Sequence, residues 1–231
     1  MNLRKYWQRK FSERARRYAE IIRMAYSSPF VWRHAFEKRY EVIRSFLKKY
    51  LPHIEGRKIL DAGCGPGLYL STLFDNTFSV GLDISEDIIR HLHQRNRDIP
   101  VVQGDITATC FRDEFFDAVL CVEVFQYLDA SYVKKTVEEF ARVLRRGGYV
   151  LITTLNPDFF VRNLGRVKRE SSWGFEELSD LLGSRFRILE GGFIVVLPDW
   201  GRLLEMVIER CPRRIVKYFS TAIFVVAEPK T

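Results

Sequence analysis

The stretch that decides the fold is Ile59-Leu60-Asp61-Ala62-Gly63-Cys64-Gly65-Pro66-Gly67. An apolar pair, typical of the end of a buried strand, leads into Asp61 and then into three glycines spaced by two. Apolar residues at helical spacing follow, namely Leu68, Leu70, Leu73 and Phe74. A strand, a glycine turn and a helix in this order let the backbone of a doubly wound α/β fold approach a nucleotide-like ligand. The sequence therefore predicts a ligand site around Asp61, Gly63 and Gly65.

Acidic residues follow three more short apolar runs, with Asp83 after residues 79–82, Asp105 after residues 101–104 and Glu123 after residues 116–122. A carboxylate at the tip of a second strand can accept both hydroxyls of a ribose. Ser85 has the position of a helix N-cap directly after Asp83. A further helix end, a Gly147-Gly148 break and an apolar run to Thr153 follow. Strands alternating with helices predict a parallel sheet that is covered on both faces.

These segments resemble a known family. The pattern apolar-x-Asp-x-Gly-x-Gly-x-Gly resembles motif I of the class I S-adenosylmethionine-dependent methyltransferases, whereas Leu68 stands where the dinucleotide fingerprint has its third glycine. The resemblance covers roughly residues 55–156 and is closest to the type 11 and ubiquinone-biosynthesis group. It implies a Rossmann-like seven-stranded sheet of order 3-2-1-4-5-7-6 with the last strand antiparallel. We predict a helical extension over residues 1–51 and a methyltransferase domain over residues 52–231.

The resemblance also implies a set of site residues. S-adenosylmethionine, and S-adenosylhomocysteine after transfer, would be bound by Asp61, Gly63, Gly65, Asp83, Ile84, Asp105, Ile106 and Val122. In the family an Asp at the place of Asp105 binds the adenine amino group, and the next apolar residue packs on the ring. Glu123 is the candidate catalytic residue, as a base or as an orienting group.

No metal is expected at this site. Gln126 and Tyr127 stand where the quinone O-methyltransferases have a Glu and a His that are associated with a divalent metal. The loss of both side chains argues against a metal-assisted mechanism on a catechol.

The net charge of +8 is concentrated near the N-terminus. Residues 1–50 carry 14 Lys and Arg against 4 Asp and Glu, whereas residues 51–156 carry 11 against 15. We expect two helices, over residues 2–26 and 30–51, and a basic aromatic extension of this kind suits an anionic partner such as a membrane surface or nucleic acid. A solvated helix face is the alternative.

The same sequence predicts a cytoplasmic protein, with peripheral membrane contact through residues 1–50 left open. No apolar run reaches the roughly 18 residues that a spanning helix needs, and no apolar segment follows the charged N-terminus as it does in a signal peptide. The four cysteines are scattered without metal-ligand spacing, as expected for reduced thiols.

Two segments occupy places where methyltransferases commonly shape the acceptor pocket. Residues 156–174 include Phe159 and Phe160, and residues 193–218 carry an apolar set at helical spacing, namely Leu203, Leu204, Val207, Ile208 and Cys211. This apolar set predicts either a lid or interfacial helix for a greasy substrate, or a helix that packs on the sheet.

The predicted function is methyl transfer to a small-molecule or lipid-like acceptor. The sequence after residues 116–122 lacks the Asp/Asn-Pro-Pro-aromatic motif of base amino-group enzymes and the Pro-Cys nucleophile of cytosine C5 enzymes. Methylation of RNA at an oxygen or ring nitrogen is an alternative because of the basic extension. A non-catalytic cofactor-binding module with a basic arm, or a nicotinamide-dependent dehydrogenase, are the rivals from other classes.

Overall fold

The computed structural model of the 231-residue chain describes residues 32–70, 77–95, 100–158, 173–196 and 202–230. The helix predicted over residues 2–26, and Phe159 and Phe160 of the acceptor segment, lie outside the described residues. Of the helix predicted over residues 30–51, the structure describes Trp32–Tyr50.

Seven strands form one sheet. They are β1 (Lys58–Ala62), β2 (Phe78–Asp83), β3 (Val101–Gln103), β4 (Phe116–Val122), β5 (Leu144–Leu155), β6 (Phe186–Val195) and β7 (Ser220–Pro229). Their order is β3-β2-β1-β4-β5-β7-β6. Strands β1 to β5 run parallel to one another, and β7 runs antiparallel to both β5 and β6. The predicted strand order and the antiparallel last strand are confirmed.

Within the residues that the structure describes, six α-helices connect and cover the strands. They are α1 (Trp32–Tyr50), α2 (Glu86–Arg95), α3 (Ala130–Val143), α4 (Phe175–Gly183), α5 (Arg202–Glu209) and α6 (Arg213–Phe219). The Ser85 hydroxyl accepts the Ile88 N–H at 3.4 Å, which confirms the predicted N-cap of α2. Asp129 caps α3 in the same way, accepting the N–H groups of Ser131 and Tyr132.

The sheet is buried on both faces because successive residues of each central strand point to opposite sides. Leu60, Val119 and Ile152 pack in one core with buried side chains of α3 and α4, including Phe140 and Leu182. Their neighbours Ile59, Leu120 and Leu151 pack in the other core with α1 and α2, through Ile43, Phe46, Leu47, Ile88 and Leu92. The apolar runs of the sequence are therefore central strands between two helical layers.

The Gly147-Gly148 break lies inside β5 rather than before it. Phe116 pairs with Leu144, but Ala118 already pairs with Tyr149, so residues 145–148 bulge out of register. Gly147 has a φ of +68°, and a Cβ on Gly148 would lie 2.9 Å from the Arg145 carbonyl oxygen. Two glycines are thus required where the chain leaves and re-enters the ladder.

Within the described ranges, none of the helices has the length and apolar character that crossing a membrane requires.

Candidate functional site

The turn after β1 is held against the end of β2. The N–H groups of Gly63 and Cys64 both donate to the Leu82 carbonyl, at 2.7 and 3.0 Å. Gly63 and Gly65 have φ values of +79° and +50°, a region that side chains disfavour. A Cβ on Gly63 would lie 2.4 Å from Cγ2 of Val124, whereas one on Gly65 would meet nothing within 4 Å. Gly63 therefore serves close packing, and Gly65 faces open space beside the strand ends.

Asp83 is the polar centre of this edge of the sheet. Its Oδ2 accepts the Gly65 N–H at 3.0 Å and its Oδ1 accepts the Ser85 N–H at 2.9 Å. Burial raises the pKa of Asp83, and hydrogen bonds from the backbone of Ser85, Gly65 and Ile84 oppose that rise. The carboxylate thus ties the glycine turn to the start of α2, and each oxygen retains lone pairs for a ligand.

Asp61 lies beneath the same turn and is 1% exposed. Burial, and in second place the charge of Asp83, raise the pKa of Asp61 to about 7. Its Oδ2 is buried and has no hydrogen-bond partner among the residues that the structure describes. A buried carboxylate oxygen without a partner is costly, and a donor on a bound ligand would remove that cost.

The third predicted acid lies beyond the short strand β3. Asp105 Oδ1 accepts the N–H and the hydroxyl of Thr107, both at 2.8 Å, which fixes the carboxylate in a local turn. Ile106 is buried in the core that contains Leu82 and Phe116. Ile106 is therefore part of this core, and its contact with an adenine ring stays a prediction.

Two other predicted residues border the same edge. Val122 is the last residue of β4 and pairs with Thr153 of β5. Ile84 directly follows β2, and its carbonyl accepts the Gln103 side-chain amide at 3.4 Å. Both thus lie at the ends of central strands, and their predicted contact with a cofactor stays a prediction.

Glu123 follows β4 in an unusual backbone conformation, with a φ of +59°. Its N–H donates to the Thr153 carbonyl at 2.9 Å. The carboxylate accepts Arg39 Nε at 3.1 Å on one oxygen and Gln126 Nε2 at 3.2 Å on the other. Left-handed backbone at a non-glycine residue is strained and concentrates at functional sites. Glu123 is thus held at the end of β4 with its carboxylate half-buried beside a cation.

Helix α1 reaches the site through Arg39 and is anchored at both ends. Near its start, His34 Nε2 lies 2.9 Å from Glu205 Oε2 of α5, and Lys38 Nζ lies 2.7 Å from Glu205 Oε1. Near its end, the Tyr50 hydroxyl donates to Glu190 of β6 at 3.0 Å. The pairing of Glu205 could not be predicted from the sequence. Glu205 is one of several charged residues of α5, and nothing in the sequence marks it as buried.

The described residues suit a ligand of the S-adenosylmethionine type. The unpartnered Oδ2 of Asp61, the open space beside Gly65 and the fixed carboxylates of Asp83 and Asp105 meet along one sheet edge. In doubly wound folds, ligands bind outside the carboxyl ends of the strands, where the strand order reverses. Here the order reverses between β1 and β4.

Residues 60–152 match the family described as methyltransferase domain, of type 11. The chain is 39% identical over 99 residues to a tRNA (carboxymethyluridine(34)-5-O)-methyltransferase of Arabidopsis thaliana, covering 42% of this chain and 24% of that protein. It is 39% identical over 111 residues to a fatty-acid O-methyltransferase of Mycolicibacterium smegmatis, covering 46% and 40%. It is 32% identical over 117 residues to a ubiquinone biosynthesis O-methyltransferase of Alkalilimnicola ehrlichii, covering 48% and 47%. The chain thus spans less than half the length of these curated relatives.

The fold is shared more widely than the sequence. An S-adenosylmethionine-dependent methyltransferase of Clostridium acetobutylicum superposes with a TM-score of 0.68 at 14% identity, covering 93% of this chain and 98% of that one. This likeness establishes the fold, and the family match at residues 60–152 falls on the glycine turn and the acids described above. Residues 60–152 therefore match the type 11 methyltransferase domain, on a sheet with the fold of the S-adenosylmethionine-dependent methyltransferases.

Proposed function

We propose that this chain transfers a methyl group from S-adenosylmethionine to a small-molecule or lipid-like acceptor. The observation that carries the proposal is the meeting of Asp61, Asp83 and the Gly63–Gly65 turn at the end of β1 and β2, inside the region of the family match. When bound, the cofactor supplies a methyl group that is activated by a positively charged sulfur.

The residues of the chain would hold that cofactor by its polar groups. Asp83 offers two anchored carboxylate oxygens to the ribose hydroxyls, and Asp105 offers its carboxylate to the adenine amino group. Gly65 leaves room for the close approach of the ligand to the backbone. Ile84, directly after β2, and Val122, the last residue of β4, would border the same ligand.

We propose that Glu123 and Arg39 bind and orient the acceptor. Methyl transfer needs a general base only when the acceptor atom must lose a proton, as a phenol does. Otherwise alignment of the reactants and exclusion of water supply most of the rate. Arg39 Nε lies 3.1 Å from Glu123 Oε1, so the two opposite charges together would orient a polar acceptor. The Glu123 carboxylate would also be able to take a proton from that acceptor.

Glu123→Gln separates these two roles. We expect a phenolic or hydroxyl acceptor to lose turnover by about 10²-fold or more at neutral pH in this variant, the usual contribution of a general base. A carboxylate acceptor, which is already ionised, should keep most of its rate. Affinity for S-adenosylhomocysteine, measured by calorimetry, should change little in either case.

Two of the named relatives, a fatty-acid and a ubiquinone-biosynthesis O-methyltransferase, support the proposal of a small-molecule or lipid-like acceptor. RNA is the second candidate, because another relative acts on tRNA and residues 1–50 hold 14 Lys and Arg. We further propose that residues 1–50 contact an anionic surface or substrate.

Transfer of labelled methyl groups into a fractionated cell extract tests the proposal. Label in the organic or small-molecule pool is the expected result, and nuclease-sensitive label in the RNA pool would favour the RNA candidate instead. Binding of S-adenosylhomocysteine without transfer to any pool would indicate a non-catalytic module. Thermal stabilisation by NAD(P) in place of S-adenosylhomocysteine would indicate a dehydrogenase.

A further inference from the structure

Helices α5 and α6 form a hairpin that buries few apolar side chains and exposes many. Ile208 of α5 and Val216 of α6 pack together on Val195 at the end of β6. The two helices are joined at Pro212, whose carbonyl accepts the Ile215 N–H at 2.7 Å. This small cluster fixes one side of the hairpin against the sheet.

The other side of the hairpin is apolar and faces solvent. On α5, Leu204 and Met206 are each 53% exposed and Val207 is 60% exposed. On α6, Ile215, Tyr218 and Phe219 are exposed at positions i, i+3 and i+4, the spacing with which a helix normally packs on a core. Six of the seven large apolar side chains identified as exposed in the described residues belong to this hairpin. Such a concentration marks an interaction surface.

Cations lie among these apolar side chains. Arg210 and Arg214 are exposed, and the Lys217 ammonium lies 5.0 Å from the centre of the Tyr218 ring. Within the described ranges no carboxylate lies in salt-bridge distance of these three cations. Arg213 differs from these three cations because it is held against the protein, by the Gly191 carbonyl and the Phe175 ring.

We infer that the α5–α6 hairpin is a docking surface for an anionic lipid bilayer. An apolar helix face inserts at the boundary between headgroups and acyl chains, while neighbouring Lys and Arg pair with lipid phosphates. Leu204, Met206 and Val207 have no use in binding the phosphates of a nucleic acid, and their exposure favours a bilayer over RNA. The inference goes beyond methyl transfer, because docking requires neither cofactor nor acceptor.

The hairpin is also connected to the site. Glu205, on the buried side of α5, pairs with His34 and Lys38 of α1, and α1 carries Arg39 to Glu123. Asn156, which follows β5, donates to the Lys217 carbonyl at 2.5 Å and so holds the end of α6. A hairpin bound to a bilayer would therefore be linked to Glu123 through a single helix, α1.

Co-sedimentation with vesicles tests this inference on the full chain without cofactor. The vesicles contain phosphatidylcholine with about one third phosphatidylglycerol, or phosphatidylcholine alone. We expect the double variant Val207→Ser/Ile215→Ser to lower the partition coefficient on anionic vesicles about tenfold or more, as loss of buried apolar area predicts. Arg214→Glu should weaken binding to anionic vesicles and leave the weak binding to neutral ones unchanged.

Two matched controls remove similar side chains elsewhere. Phe78→Ser removes the exposed apolar residue outside the hairpin, which is 49% exposed, and Arg146→Glu reverses a cation that is 88% exposed. Both should bind vesicles like the wild type.

Each other outcome overturns the inference. Absence of wild-type binding, or equal binding by Val207→Ser/Ile215→Ser, would remove the hairpin from membrane contact. Sedimentation velocity that shows a dimer, dissociated by the double variant, would make a second copy the occupant. Loss of RNA binding in the double variant, without any vesicle binding, would assign the surface to nucleic acid.

Discussion

Asp83 anchors the glycine turn through the Gly65 N–H, and we propose that the same carboxylate binds the ribose hydroxyls. We predict that Asp83→Ala weakens S-adenosylhomocysteine binding by roughly tenfold to hundredfold, because loss of hydrogen bonds to a charged group costs about 1.5–3 kcal/mol. Calorimetry measures the change. Asp87→Ala, on the exposed face of α2, is the control and should bind normally. Equal affinities in all three proteins would show that Asp83 does not touch the cofactor.

Asp61 should make stability depend on pH. An Asp in an unfolded chain ionises near pH 4, whereas the folded pKa of Asp61 is about 7. The folded state therefore holds an extra proton between these values, and stability falls as the pH rises through that window.

The variant Asp61→Asn carries no charge to bury, so it should melt higher than the wild type at pH 8, by about 3 °C or more. Melting curves without cofactor should show this gain shrinking towards pH 5. The same variant should bind S-adenosylhomocysteine more weakly. A gain that is the same at both pH values would assign it to something other than ionisation of Asp61.

The two glycines of the turn should respond differently to alanine. Both have positive φ, which costs a side chain about 1–2 kcal/mol. Gly63→Ala adds a clash with the stiff side chain of Val124, at 2.4 Å, and overpacking costs a further 1–3 kcal/mol or so. Urea unfolding should therefore find Gly63→Ala clearly less stable than Gly65→Ala.

The double variant Gly63→Ala/Val124→Ala checks the cause. Its loss of stability should be smaller than the sum of the losses measured for Gly63→Ala and Val124→Ala alone, because the clash is then absent. The double variant should therefore lie closer to Gly65→Ala than that sum predicts. The sequence-based expectation that Gly63 serves ligand approach was incomplete, since the neighbour of its missing Cβ is Val124 of the protein itself.

At the scale of elements, α5 shows where periodicity misleads. The apolar spacing of Leu204, Val207 and Ile208 leaves open an interfacial helix or a helix that packs on the sheet. Full packing on the sheet is not found, because Leu204 and Val207 face solvent and Glu205 is 3% exposed. The helix is turned because His34 and Lys38 of α1 pair with Glu205. Of the expected apolar face, Ile208 alone is buried, and the side chain of Leu203 lies outside the described residues. A pair 171 residues apart in sequence leaves no trace in local spacing.

This pairing should stabilise the contact of α1 with α5. Glu205→Ala leaves His34 and Lys38 without their buried partner, and we predict a loss of about 2 kcal/mol or more in urea unfolding. Glu209→Ala removes the exposed partner of Lys38 at 3.0 Å and should cost less than about 1 kcal/mol. Similar losses of unfolding free energy in both variants would mean that the buried pairs of Glu205 stabilise the fold no more than the exposed pair of Glu209.

For the whole molecule, the order of strands and the positions of Asp61, Asp83, Asp105 and Glu123 could be predicted, because each acid ends or follows a short apolar run. The sheet order confirms the fold, and residues 60–152 match the predicted family. The docking of α1 on α5 and β6 could not be predicted, since it rests on single long-range pairs. The predicted boundary at residues 51 and 52, the cytoplasmic location and the absence of a metal stay predictions.

The charge of the N-terminal region has a consequence for the whole chain. We predict that deletion of residues 1–26 leaves a folded core, with an unfolding temperature within a few degrees of wild type. Turnover, or binding to an anionic partner at low salt, should change. Circular dichroism and methyl-transfer assays measure the two effects, and full activity with unchanged binding would make residues 1–26 a solvated surface.

The place of β7 determines the order in which the chain can fold during synthesis. This strand lies between β5 and β6 although it follows both in sequence. Until residues 220–229 leave the ribosome, β6 has no strand to pair with, and Ile152 and Thr153 of β5 lack their partners on β7. An apolar strand edge that waits for its partner can pair with another nascent chain. Rapid production of the last strand, and chaperones that shield β5 until then, should therefore limit aggregation of this protein.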